Sequence, residues 1–167
     1  MDVNGTPYRT IWTASDERTV SIIDQTKLPH AFVTVELTSV EDAAHAIRDM
    51  LVRGAPLIGA TGAYGLALAL RDDPSDENLQ AAFDALLKTR PTASNLGWAL
   101  RDVAGAVKPL APEEREAAAY ERAAQICEDD VATCRAIGEH GADVIEALWR
   151  DKGRPAQINM LTHCNAG

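Results

Sequence analysis

The pattern of apolar and polar positions changes period near residue 40. Before it, short runs rich in β-branched and aromatic residues alternate with turn residues. The runs are Thr10-Ile11-Trp12-Thr13, Val20-Ser21-Ile22-Ile23-Asp24 and Ala31-Phe32-Val33-Thr34-Val35-Glu36-Leu37. Ser15-Asp16-Glu17-Arg18 and Lys27-Leu28-Pro29-His30 separate them, so the pattern predicts a small antiparallel sheet.

After Ser39 the apolar positions recur at helical spacing. Ser39 is a helix cap with Asp42 three residues on, and Ala43, Ala44, Ile47 and Met50-Leu51 form the inner stripe. Pro56 suits the first turn of a second helix, whose glycines and alanines fit tight packing and which Asp72-Asp73-Pro74-Ser75 ends. A third helix is predicted over Asn78 to Lys88, with Leu79, Phe83, Leu86 and Leu87 inward. A fourth starts at Pro91-Thr92 and runs to about Val107. Lys108-Pro109-Leu110-Ala111-Pro112 breaks the chain, and a long helix follows from Glu113 to about Trp149. Its inner positions are read as Tyr120, Ile126, Val131, Ile137, Val144 and Leu148, with Gly138 and Gly141 as points of interruption. Asp151-Lys152-Gly153-Arg154-Pro155 reads as a linker, and Ile158 to Leu161 as a buried strand. The expected organisation is α+β: a β and helical domain over residues 1–150, then a linker and the first strand of a second domain over 151–167.

Charge narrows the function. Twenty-five acidic residues against 16 basic give a formal net charge of −9. That excludes nucleic acid or an anionic membrane as the main partner, while leaving room for a small anion held by local arginines. The longest apolar run, Leu57 to Leu70, is too short to span a bilayer. Asp2, Asn4 and Arg9 interrupt any leader-like stretch, and an odd count of three cysteines fits a reducing cytoplasm. Cys127 and Cys134 lie seven apart on one helical face with no third ligand nearby, which favours small core residues over a metal site.

Three arrangements are candidates for chemistry. Arg53-Gly54-Ala55-Pro56 precedes one helix and Thr89-Arg90-Pro91-Thr92 another. A helix start offers unpaired N–H groups and partial positive charge, a glycine admits a ligand to the backbone, and arginine adds a bidentate donor. Two such starts suit a phosphorylated metabolite, although one arginine at a helix start is more often a solvated surface group. The third candidate is Cys164, in the turn after the terminal strand. Two readings stand open: a small buried residue, or a thiolate favoured by backbone N–H groups and a helix end. Neighbours on a strand point to opposite faces, so His163 and Cys164 need not form a catalytic pair.

These segments carry a resemblance. Val52-Arg53-Gly54-Ala55-Pro56-Leu57-Ile58-Gly59 with Ala63-Tyr64-Gly65, then Thr89-Arg90-Pro91-Thr92-Ala93-Ser94-Asn95-Leu96-Gly97-Trp98-Ala99, then Leu161-Thr162-His163-Cys164-Asn165-Ala166-Gly167, resemble three ordered motifs of the methylthioribose-1-phosphate isomerases. Ser94 departs from the family's usual valine. The resemblance covers the whole chain and about the first half of the family's usual length. It implies conversion of 5-methylthioribose 1-phosphate to 5-methylthioribulose 1-phosphate in methionine salvage, with no cofactor and no metal. Arg53, Gly54, Ala55 and Arg90 would hold the substrate, chiefly its phosphate, and Cys164 would be the catalytic cysteine. The terminal strand would open a Rossmann-like domain that is otherwise absent, and the catalytic aspartate would lie there. The 167 residues alone would therefore be inactive, and the complete chain would be a homodimer. Two relatives are the alternatives: a ribose-1,5-bisphosphate isomerase, and the non-catalytic regulatory subunits of the translation initiation factor 2B complex. Asn95-Leu96-Gly97-Trp98 favours the methylthioribose substrate over the first. Cys164 with Arg53 and Arg90 argues against the second.

Overall fold

The computed structural model describes residues 2–16 and 18–161. Cys164 and the turn expected around it lie outside the described residues. The chain divides into two compact units, one up to Cys127 and one from Glu128 onward.

The first unit opens with a hairpin, β1 (Asp2–Val3) paired antiparallel with β2 (Thr6–Pro7). Asn4 and Gly5 both take positive φ in its turn, the conformation that makes Asn-Gly a hairpin signal. This hairpin is an addition to the sheet expected from the apolar runs. A three-stranded antiparallel sheet follows in the order β3 (Ile11–Thr13), β4 (Val20–Ile23), β5 (Thr34–Leu37). Ile11 pairs with Ile22, and Val20 with Leu37. This is the expected sheet, with its third strand beginning at Thr34 rather than Ala31. Every residue of central β4 is buried.

Four helices build the rest of this unit. They are α1 (Val40–Arg48), α2 (Ala55–Asp72), α3 (Asp76–Thr89) and α4 (Ser94–Val107). Leu57 through Leu70 of α2 are all buried. A helix that is apolar all round is a core helix, and α1, α3 and α4 pack around it. Glycines make that close packing possible. A Cβ on Gly62 would meet Leu96 Cδ1 at 2.4 Å, and one on Gly65 would meet Ala43 and Leu86 at 3.0 Å.

The fifth helix, α5 (Pro112–Asp151), contributes its first part to this unit, burying Arg115, Ala119, Ala123 and Ile126. Arg115 is a buried cation that is fully met. It donates to the carbonyls of Leu110 and Pro74 at 3.1 and 2.9 Å, and it pairs with Asp76 at 2.8 Å. One guanidinium thereby ties the α2–α3 and α4–α5 connections.

In the second unit α5 continues unbroken through Gly138 and Gly141 to Asp151. Gly153 and Arg154 then take positive φ and stop it, and Trp149 Nε1 donates to the Pro155 carbonyl at 2.9 Å. Two expectations fail here. Val131, Ile137, Val144 and Leu148 are exposed rather than inward. Ile158 to Leu161 form no strand, and Met160 and Leu161 are exposed. The physical reason is the same for both. An apolar stripe or a strand is buried only against a partner, and no described residue supplies one.

Candidate functional site

The two arginine motifs meet through the packing of α2 on α4. Gly59 is the fifth residue of α2 and Asn95 the second of α4. A Cβ on Gly59 would stand 3.0 Å from the Asn95 carbonyl oxygen and 3.5 Å from Ala99 Cβ. One turn on, Gly62 faces Leu96 and Leu100. Gly59 lies in the second turn of α2 and Asn95 in the first turn of α4, so the two helices start close together. The sequence placed Arg53 and Arg90 at separate helix starts. The three-residue spacing of Gly59 and Gly62 was the signal that could have joined them.

The local chemistry of the two starts is alike. Gly54 caps α2 with φ +96°, a conformation that glycine alone adopts without strain, and its carbonyl accepts from Ile58 N–H at 3.0 Å. Pro56 lies in the first turn and brings no N–H. Arg90 ends α3, and its carbonyl accepts from Ala93 N–H at 3.0 Å in the turn that feeds α4. Ala93 caps α4. Neither Gly54 nor Ala93 makes a side-chain cap bond, and neither first turn carries an acidic residue.

The other caps are different. Ser39 Oγ accepts from Asp42 N–H at 3.1 Å, and Ser75 Oγ from Asn78 N–H at 3.2 Å. Glu41 and Asp42, Asp76 and Glu77, and Glu113 and Glu114 occupy the first turns of α1, α3 and α5. In a chain of net charge −9, the two adjacent starts are left without an internal anion. Arg53 is exposed and Arg90 half-buried, and among the described residues no carboxylate pairs with either. Ala55 is exposed at the start of α2 and Gly54 half-exposed before it. Each start offers amides and partial positive charge to an external anion.

A cleft of about 190 Å³ lies elsewhere, lined by Asp76, Leu79, Phe83, Arg101 and Lys108 among others. Asp76 opens α3 and Lys108 follows α4, so this cleft is at the other end of those helices from Arg90 and Ser94. Among the described residues no group of three or more His, Cys, Asp or Glu side chains could hold a metal. Cys127 is half-buried and packs at the core edge, whereas Cys134 is exposed, against the expectation of a core position.

The comparisons bear on the whole arrangement. The model of the initiation factor 2 subunit family matches residues 51–167, a span that contains all three motifs. A protein of Paramagnetospirillum magneticum named methylthioribose-1-phosphate isomerase is 61% identical over all of this chain, which spans 46% of that relative. The chain thus covers about half the length of such relatives. Two crystal structures share the fold. Translation initiation factor eIF-2B subunit delta from A. fulgidus superposes with a TM-score of 0.75 at 37% identity, covering 83% of this chain and 42% of that one. The 5-methylthioribose 1-phosphate isomerase of Pyrococcus horikoshii gives 0.74 at 34% identity, covering 81% and 40%. With a family match over most of its length and its arginine motifs at two adjacent uncapped helix starts, this chain belongs to the initiation factor 2 subunit family.

Proposed function

We propose that the end of the first unit where α2 and α4 begin holds the phosphate of a phosphorylated sugar. The chain then supplies this end to an aldose–ketose isomerase acting on 5-methylthioribose 1-phosphate in methionine salvage. One observation carries the reading: the only two described α-helix starts that lack both a side-chain cap and a first-turn acid among α1 to α4 lie side by side, each with an arginine beside it. The choice of sugar rests on the 61% identity with the P. magneticum relative and on the three motifs.

In this reading Arg53 and Arg90 grip the phosphate oxygens, and the backbone at Gly54 and Ala55 accepts its close approach. Phosphate fixed at one end positions the sugar carbons for reaction. The C1–ring-oxygen bond breaks, the C2 hydrogen ends on C1, the C2 hydroxyl proton ends on the released ring oxygen, and C2 becomes the carbonyl. Cys164 serves as acid or base on an enediol route, or stabilises charge on a hydride route. Residues 151–167 begin the second, Rossmann-like domain, and the complete enzyme is a cytoplasmic homodimer. Both statements rest on the family resemblance.

The test joins this chain to the portion of the P. magneticum relative that it does not match, and assays turnover of methylthioribose 1-phosphate. Cys164→Ser should abolish turnover with an unchanged melting temperature. Arg90→Ala should raise KM for the phosphorylated sugar. Turnover that survives Cys164→Ser would remove Cys164 from the chemistry. A second reading, a non-catalytic subunit, draws on the eIF-2B subunit delta structure, which shares the fold as fully as the isomerase structure does, with TM-scores of 0.75 and 0.74. A folded joined protein without any turnover would support it.

A further inference from the structure

The exposed half of α5 carries an apolar stripe with coiled-coil spacing. Cys134, Ile137, Gly141, Val144 and Leu148 follow one another at alternating steps of three and four residues. Such steps keep side chains on one face of a helix. Ile137 is 66% exposed, Val144 60% and Leu148 51%. The opposite face is finished for water, with ion pairs Arg135–Glu139 at 3.0 Å and Arg150–Glu146 along it. The same face of α5 carries Ala119, Ala123 and Ile126 in the first unit, where they are buried in the core, and Asp130 stands between the two stretches. One face of the helix is therefore apolar and covered before Asp130, and apolar and bare from Cys134 onward.

We infer that the bare stripe, Cys134 to Leu148, is the docking face for the portion of the family's polypeptide that this chain does not match. The argument for that occupant is length and continuity. The matched relative has more than half of its chain outside the region aligned here. The stripe lies on the helix face already used for packing inside the chain, and three large aliphatic side chains, Ile137, Val144 and Leu148, are costly to leave in water. The inference does not depend on the substrate.

Cys134 lies within the stripe and reports on its cover. In the 167-residue chain its thiol should react freely with a maleimide, read by peptide-mapped mass spectrometry. In the chain joined to the unmatched portion of the P. magneticum relative, labelling at Cys134 should slow by about tenfold or more, the scale of protection that burial confers. Ile137→Asp with Val144→Asp should leave the melting temperature of the 167-residue chain unchanged, since both side chains are exposed, and should lower that of the joined protein. Equal labelling in both proteins would overturn the inference. So would slowing in the 167-residue chain alone that rises with its concentration, because a second copy would then be the occupant. Should the joined protein not fold, hydrogen exchange in the intact P. magneticum protein decides the question. The segment aligned with residues 134–148 should exchange more slowly there than in the same protein cut back to the part matched here, and equal exchange would overturn the inference.

Discussion

At the scale of single residues, the site depends on charge left unspent. Arg115 shows the contrast, because its guanidinium is consumed by Leu110, Pro74 and Asp76. Arg115→Ala should cost about 2 kcal/mol, since it strips donors from part-buried carbonyls, and thermal unfolding would measure it. Arg53→Ala should leave stability nearly unchanged and weaken phosphate binding by about tenfold, the value of one charged hydrogen bond. Calorimetric titration with methylthioribose 1-phosphate separates the two effects. Asp16 offers a pH test of the sheet. The Thr19 hydroxyl donates to its carboxylate at 2.7 Å, the Arg18 and Thr19 N–H groups at 3.0 and 2.9 Å, and its pKa falls from 3.8 to about 2. The folded value lies below the unfolded one, so its contribution is complete above pH 3.8 and is lost as pH falls toward 2. Thr19→Val should move the Asp16 titration upward by NMR, because the hydroxyl is the largest of the lowering causes.

At the scale of elements, glycine spacing decides which helices meet. Gly62→Ala would drive a methyl into Leu96, which is fully buried, and should destabilise by about 1–3 kcal/mol in a denaturant melt. Gly59→Ala is the more informative change. Its methyl would press the Asn95 carbonyl at 3.0 Å and push the start of α4 from that of α2. It should weaken phosphate binding more than its modest loss of stability would suggest, and unchanged affinity would mean that the spacing of the two starts does not matter. The elements themselves were largely legible. The Ser39 cap, the β runs and the Pro56 start follow local rules of hydrogen bonding and φ preference, which a sequence states directly. The proximity of the α2 and α4 starts was not legible, because it depends on which faces of the two helices touch. Val131, Ile137, Val144 and Leu148 misled for a related reason. Periodicity identifies a face that seeks burial without saying what buries it.

At the scale of the whole molecule, one end of a helical unit offers two helix starts to an anion, and one helix face offers an apolar stripe to a partner. Both follow from the same pattern: among the described residues these helix starts and this stripe have no internal partner, while their counterparts elsewhere do. Cys164 stands outside the described residues, so the phosphate end is where the proposed function meets structure most directly. The decisive measurement is an NMR titration of the 167-residue chain with methylthioribose 1-phosphate and, separately, with unphosphorylated methylthioribose. A phosphate site at the α2 and α4 starts requires saturable shifts of the Gly54, Ala55, Ser94 and Asn95 amides with the phosphorylated sugar, none with the other, and loss of the shifts in the Arg53→Ala, Arg90→Ala double variant. Shifts that appear equally with both sugars, or that fall in the cleft lined by Phe83 and Arg101 instead, would contradict it.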